Sequence, residues 1–427
     1  MRGGRWTLIL LMIFGLMMPL ERFTVKSLGP GDAAMMAAMA IVWLLIWKER
    51  ARVHLPLALG MWLIFVGTLL GTLTLLGFST VMLAVVQEIY LYILFLTLVN
   101  AFITRDAYNR FMLVLTGTAA LSAMYIILSR LGLRIAFLTP KGGKNAALAL
   151  RKTDPDAFLQ SIGRASGTFS NSNAAGGYLL LAMYLFLALP LGKYTWLKWP
   201  VGFIFLLAIL MTGSNGALLG ALLGLGVLGV AWLMKQGRAL LLLVAMLAIS
   251  TSLLAALTPV VGPMLFDQFS QQDFAFAYVR LADKLQKRTA IWQGGLEAMK
   301  ESPLGIGANM SAEVVSGGMH NDYVAFFVER GLIGFVGLMI LFGELFFALA
   351  TALRLGRTSA NYWTTMALLA GLLGIMLMST THEATHGRPL WVLFAAICLH
   401  TQLLTREYKQ VDHSLTQTAS IAHAQTI

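Results

Sequence analysis

Polar and apolar residues in this chain separate into blocks. Apolar runs lie near 6–20, 33–47, 55–77, 79–103, 111–129, 174–191, 197–212, 216–234, 239–258, 332–353, 362–381 and 388–404. Most approach the roughly 20 residues that span a bilayer core about 30 Å thick. Backbone groups in hydrocarbon must satisfy one another, so each run is expected to be an α-helix. Membrane strands would need shorter, alternating segments. The pattern predicts an all-α polytopic membrane protein with about 12 transmembrane helices. Residues 1–129 hold helices 1–5, 130–173 form a first long loop and 174–258 hold helices 6–9. Residues 259–331 form a second long loop, 332–404 hold helices 10–12, and 405–427 form a polar tail expected to be disordered.

Composition agrees: 58% of the 427 residues are hydrophobic and 12% charged, where soluble domains carry about 25% charged residues. Secreted soluble enzymes, nucleic-acid binders and disordered chains are excluded. The net charge of +12 does not imply a nucleic acid, because much of it sits in short loops. With the N-terminus placed inside, the short inner segments hold fifteen Lys and Arg, against Arg22, Lys26 and Arg388 outside. Short basic loops stay cytoplasmic, so both termini are expected inside and both long loops outside. The apolar run after Arg2 and Arg5 imitates a signal peptide, but no clear small-x-small site follows it, and it reads as a first membrane helix. The single cysteine, Cys398, excludes an intramolecular disulfide and a CxxC pair.

The suggestive chemistry lies in the outer segments. The run Gly163–Asn173 is rich in Gly, Ser and Asn and leads into a helix, an arrangement suited to an anion or to a simple helix cap. Residues 280–300 read as an amphipathic helix lying on a membrane surface. Leu281, Leu285, Trp292, Leu296 and Met299 share one face, Arg280 and Lys284 another, and Arg288 lies between them at headgroup depth. His320 follows Gly317 and Gly318, and an imidazole accepts a proton near neutral pH. His382-Glu383-Ala384-Thr385-His386 matches HExxH literally, but a zinc protease needs that motif on a helix with a third ligand. Glu88 and Glu344 are acids within spans, and such acids raise the alternative of a transporter.

Four stretches, in order, resemble the bacterial O-antigen ligases and the O-antigen and exopolysaccharide polymerases, which are GT-C type membrane glycosyltransferases. Arg164-Ala-Ser-Gly-Thr-Phe-Ser-Asn-Ser-Asn173 is similar to RxSGTFxNPN. Thr212-Gly-Ser-Asn215-Gly216 resembles the SRG start of their shared domain. Arg288-Thr-Ala-Ile-Trp292 with Pro303-Leu-Gly-Ile-Gly307 resembles RxxxW…PLxGxG. His320-Asn321-Asp322-Tyr323 with Glu329-Arg330-Gly331 resembles HNxYL…ExG. Asn215 stands where the family usually has Arg, and a neutral amide cannot grip a phosphate as a fixed cation does.

The resemblance implies a donor glycan carried on undecaprenyl diphosphate and presented at the periplasmic face of the bacterial inner membrane. It implies metal-independent, inverting transfer with no cofactor. Arg288, with Arg164 or Asn215, would engage the diphosphate, and Asn321, Tyr323, Arg280 and Lys284 would line the donor site. His320 would accept the acceptor's proton. Partners would be the lipid-linked oligosaccharide, membrane lipid, and flippase and chain-length or export proteins, with no nucleic acid. The missing Arg favours polymerisation of lipid-linked repeats. The alternatives are ligation to lipid A–core and a polysaccharide transporter or flippase.

Overall fold

The computed structural model describes residues 4–20, 29–73, 78–131, 133, 165–169, 171–236, 288–314, 319–356 and 358–425. Among these, the regular elements are helices and no strand occurs. They are α1 (Gly4–Met17), α2 (Pro30–Lys48), α3 (Ala58–Leu73), α4 (Phe78–Ala101), α5 (Arg105–Arg130), α6 (Ser172–Ala188), α7 (Lys198–Thr212) and α8 (Asn215–Lys235). There follow α9 (288–301), α10 (Ser311–Val314), α11 (Asp322–Leu355), α12 (Ser359–Met378) and α13 (Arg388–Gln425). A short 3₁₀ turn, Gly192–Leu197, precedes α7. Among the described residues, seven stretches are long and apolar enough to cross a bilayer, and α1, α3 and α6 are shorter apolar helices. The protein is therefore an all-α polytopic membrane protein. Eleven of the twelve apolar runs coincide with helices; the run 239–258 lies outside the described residues.

Two helix pairs are drawn together through glycine. Against α3, α11 presents Gly334 and Gly337. A Cβ at Gly67 would lie 2.5 Å from the Gly334 nitrogen, and one at Gly337 would lie 2.7 Å from the Ile64 nitrogen. Helices α8 and α12 meet in the same way at Gly220 and Gly374. In lipid, where apolar side chains gain little by leaving solvent, such backbone approach drives helix association.

Two helices depart from their apolar runs. The run at 332–353 becomes a helix beginning at Asp322, because the Asn321 side chain caps it by accepting from the Tyr323 and Val324 amides. The last helix passes through the tail expected to be disordered and continues to Gln425. No Gly or Pro follows Pro389 to stop it.

Candidate functional site

The site is built where α11 breaks. Gly331 has φ 64° and ψ −172° inside an otherwise helical run, so carbonyls one turn earlier lose their helical partners. The segment Pro303–Gly307 supplies replacements. The Ile306 amide donates to the Val328 carbonyl and the Gly307 amide to that of Glu329, each at 3.0 Å. Such contact demands bare backbone: a Cβ at Gly305 would lie 2.5 Å from the Glu329 oxygen, and one at Gly331 would lie 2.7 Å from Leu304. The PLGIG and ExG stretches are thus two halves of one joint.

Helix α9 packs on the same joint. Ile291, Trp292, Ala298 and Met299 meet a cluster containing Ile306, Met319, Ala325 and Val328, and Gly295 lies against Met319 and Val328. Of the expected apolar face, Trp292 and Met299 pack here while Leu296 is 44% exposed; Leu281 and Leu285 lie outside the described residues. The small residues Gly295 and Ala298 join Ile291, Trp292 and Met299 on the packed face. The Trp292 indole donates to the Met319 carbonyl at 2.8 Å. That bond ties the helix bearing Arg288 to the residue before His320.

His320 is solvent-accessible and sits at φ 49°, a left-handed conformation uncommon for a residue with a Cβ. Its amide donates to Glu383 Oε1 at 2.8 Å. Partial desolvation, and after it the charge of Arg288, holds the His320 pKa below its ordinary 6.5. Both effects favour the neutral form of the imidazole. Burial in turn lowers the pKa of Arg288, although a guanidinium stays charged at any physiological pH.

The loop 379–387, between α12 and α13, closes the site. Asp322, 1% exposed, accepts from the Ala384 amide at 2.8 Å and the Thr385 hydroxyl at 2.6 Å. Its own amide donates to the Ser379 carbonyl at 2.9 Å. The HExxH stretch lies in this loop and not on a helix. Its glutamate is engaged by the His320 backbone, and among the described residues no group of three or more His, Cys, Asp or Glu could hold a metal. His386 is driven down to about 3 by burial and then by the charge of Arg330. On the loop's other side, a Cβ at Gly216 would collide with the Thr381 hydroxyl, so the first turn of α8, with exposed Asn215, abuts it.

Beneath this surface, Arg330 is 1% exposed. Its Nε and Nη2 donate to Glu88 Oε1, and its Nη1 donates to Glu329 Oε2 at 3.2 Å. Glu88 also accepts from Thr68 at 2.8 Å, and Glu329 from the Asn309 amide at 3.0 Å. The guanidinium lies 4.2 Å from the centre of the Phe326 ring.

Several expected site residues have other work. Asn321 caps α11. The Tyr323 hydroxyl donates to the Met376 carbonyl at 2.9 Å, joining α11 to α12. Arg164, Arg280 and Lys284 lie outside the described residues. Around Arg164, the run from Ala165 lies across helix ends: the Ala165 amide donates to the Met211 carbonyl, and the Thr168 hydroxyl to that of Pro19. Asp322, Glu383 and Thr385 escaped the sequence reading as site residues because the contacts that matter span about 60 positions. The signals available were that Asp322 stands two residues after His320 and that Glu383 and Thr385 lie in the HExxH stretch beside the last helix.

Residues 200–339 match the family model described as O-antigen ligase. This match supports the likeness to the O-antigen ligase and polymerase superfamily, and it contains Asn215, Arg288, His320 and the joint at Gly331. No curated protein matches the chain.

Proposed function

From the O-antigen ligase match across residues 200–339, we propose that this membrane glycosyltransferase polymerises oligosaccharide repeats carried on undecaprenyl diphosphate, working at the periplasmic face of the inner membrane. The observation that carries the reading is the tie between Arg288 and His320 through the Trp292–Met319 hydrogen bond. Arg288 binds the donor diphosphate and stabilises the negative charge that grows on it as the anomeric C–O bond breaks. His320 takes the proton of the acceptor hydroxyl, which attacks the anomeric carbon from the opposite side, with inversion. The acceptor is the sugar end of a second lipid-linked repeat.

Asn215 supports polymerisation over ligation. It is exposed at the start of α8, beside the loop at Thr381, and offers an amide where a ligase would hold the diphosphate with Arg. Ligation to lipid A–core is the second reading, favoured by the description of the matched family. The two differ in product. Purified protein is incubated with the lipid-linked repeat alone, then with lipid A–core added. Longer lipid-linked chains formed without the core acceptor support the polymerase, and product formed only with the core supports the ligase.

A transporter draws no support from the acids that raised it. Glu88 is held by Arg330 and Thr68. Glu344 accepts from the Leu59 and Gly60 amides, where it caps the start of α3.

A further inference from the structure

We propose that Glu383 is a positioning residue for this reaction, holding the His320 backbone in the left-handed conformation from which the imidazole works. The inference rests on the functional reading above and adds to it a residue from the last loop, outside the matched stretch 200–339. Three observations converge on it. His320 occupies a backbone region that residues with a Cβ seldom adopt, so something outside the residue must hold it there. The Glu383 carboxylate accepts the His320 amide at 2.8 Å, although the two are 63 residues apart. The loop carrying Glu383 is itself anchored, because Asp322 binds Ala384 and Thr385 while the Thr385 carbonyl accepts from the Trp391 indole at 2.9 Å. Asp322 and Glu383 therefore act in series: Asp322 fixes the loop, and Glu383, on that fixed loop, holds the histidine's amide.

The contact requires an oxygen acceptor at this reach, not a negative charge. A glutamine keeps the oxygen, an aspartate withdraws it by one methylene, and an alanine removes it. The full-length protein is tested in proteoliposomes with undecaprenyl-diphosphate-linked repeat as donor. Glu383→Gln is expected to keep kcat within about threefold, and Glu383→Ala to lose about 100-fold, the scale of a misplaced catalytic group. Glu383→Asp should fall between them. The donor KM should stay within about twofold in all three, because Glu383 acts through His320 and touches no donor. Amide hydrogen exchange across residues 319–323 should quicken in the Ala variant and stay as in the parent in the Gln variant.

Parental kcat in Glu383→Ala overturns the inference. So does a Gln variant as inactive as Ala, which would make charge the operative property. If Glu383→Ala does not accumulate, Glu383→Asp decides, and parental kcat there overturns the inference equally. Failure of the functional reading looks different: the parent protein then extends no lipid-linked repeat. The exchange measurement still bears on the Glu383–His320 contact in that case, and unchanged protection in Glu383→Ala refutes it.

Discussion

Arg330 grips Glu88 with two nitrogens of its guanidinium, while its third nitrogen holds the neighbouring Glu329. This buried group joins α4 to α11 just below the break at Gly331. Its stability consequence is asymmetric. Arg330→Ala leaves two carboxylates buried without their cation, whereas Glu88→Ala leaves Arg330 still paired with Glu329. Breaking a buried pair costs about 3–5 kcal/mol, and Arg330→Ala should show the full loss and Glu88→Ala less. Thermal unfolding of the two variants in detergent measures the order, and equal or reversed losses would contradict it.

His320→Ala is expected to remove product formation while the protein still inserts and accumulates. General bases contribute about 10²–10⁴-fold, so activity should fall into that range or below detection. Steady-state assays, paired with quantification of the protein in membranes, check both halves of the statement.

The pH dependence follows from the neighbours of His320. In the proposed reaction His320 works as a neutral base, and its pKa is held below 6.5 by desolvation and then by Arg288. The rate should therefore be on its plateau at pH 7 and fall as pH drops through that lowered pKa. Arg288→Gln removes a charge that disfavours the imidazolium, so the acid limb should move to higher pH as donor binding weakens. A profile of kcat/KM against pH for both proteins tests the sign.

Asn215→Arg should be tolerated or should lower the donor KM, because the residue is exposed at the start of α8 and the new charge faces the proposed diphosphate region. A clear loss of activity would show that the stretch 212–216 does not correspond to the SRG segment of the family.

Gly331→Ala should destabilise the protein and impair activity together. It places a Cβ 2.7 Å from the Leu304 backbone at a residue with φ 64°. Conformational strain of this kind costs about 1–3 kcal/mol, before the contact with Leu304 is added. Unfolding midpoints and initial rates would both fall; parental values for both would mean that the joint is more pliant than its geometry implies.

The apolar runs alone determined that this chain is a bundle of membrane helices, because hydrocarbon admits only helices or closed barrels and the runs are too long and too little alternating for barrel strands. Spacing also exposed His320, Arg288 and the glycine-rich PLGIG stretch, because each is a local pattern of residue types. Only the tertiary structure decided that PLGIG completes the backbone of a broken helix, that Leu296 faces away from the packed side of α9, and that Asn321 and Tyr323 are bound up in capping and helix packing. It alone brought the HExxH-like loop to His320 as an anchor. Contacts between residues 322 and 384, or 88 and 330, arise from helices meeting in space, and a periodic pattern along one helix carries no record of which neighbour it will meet.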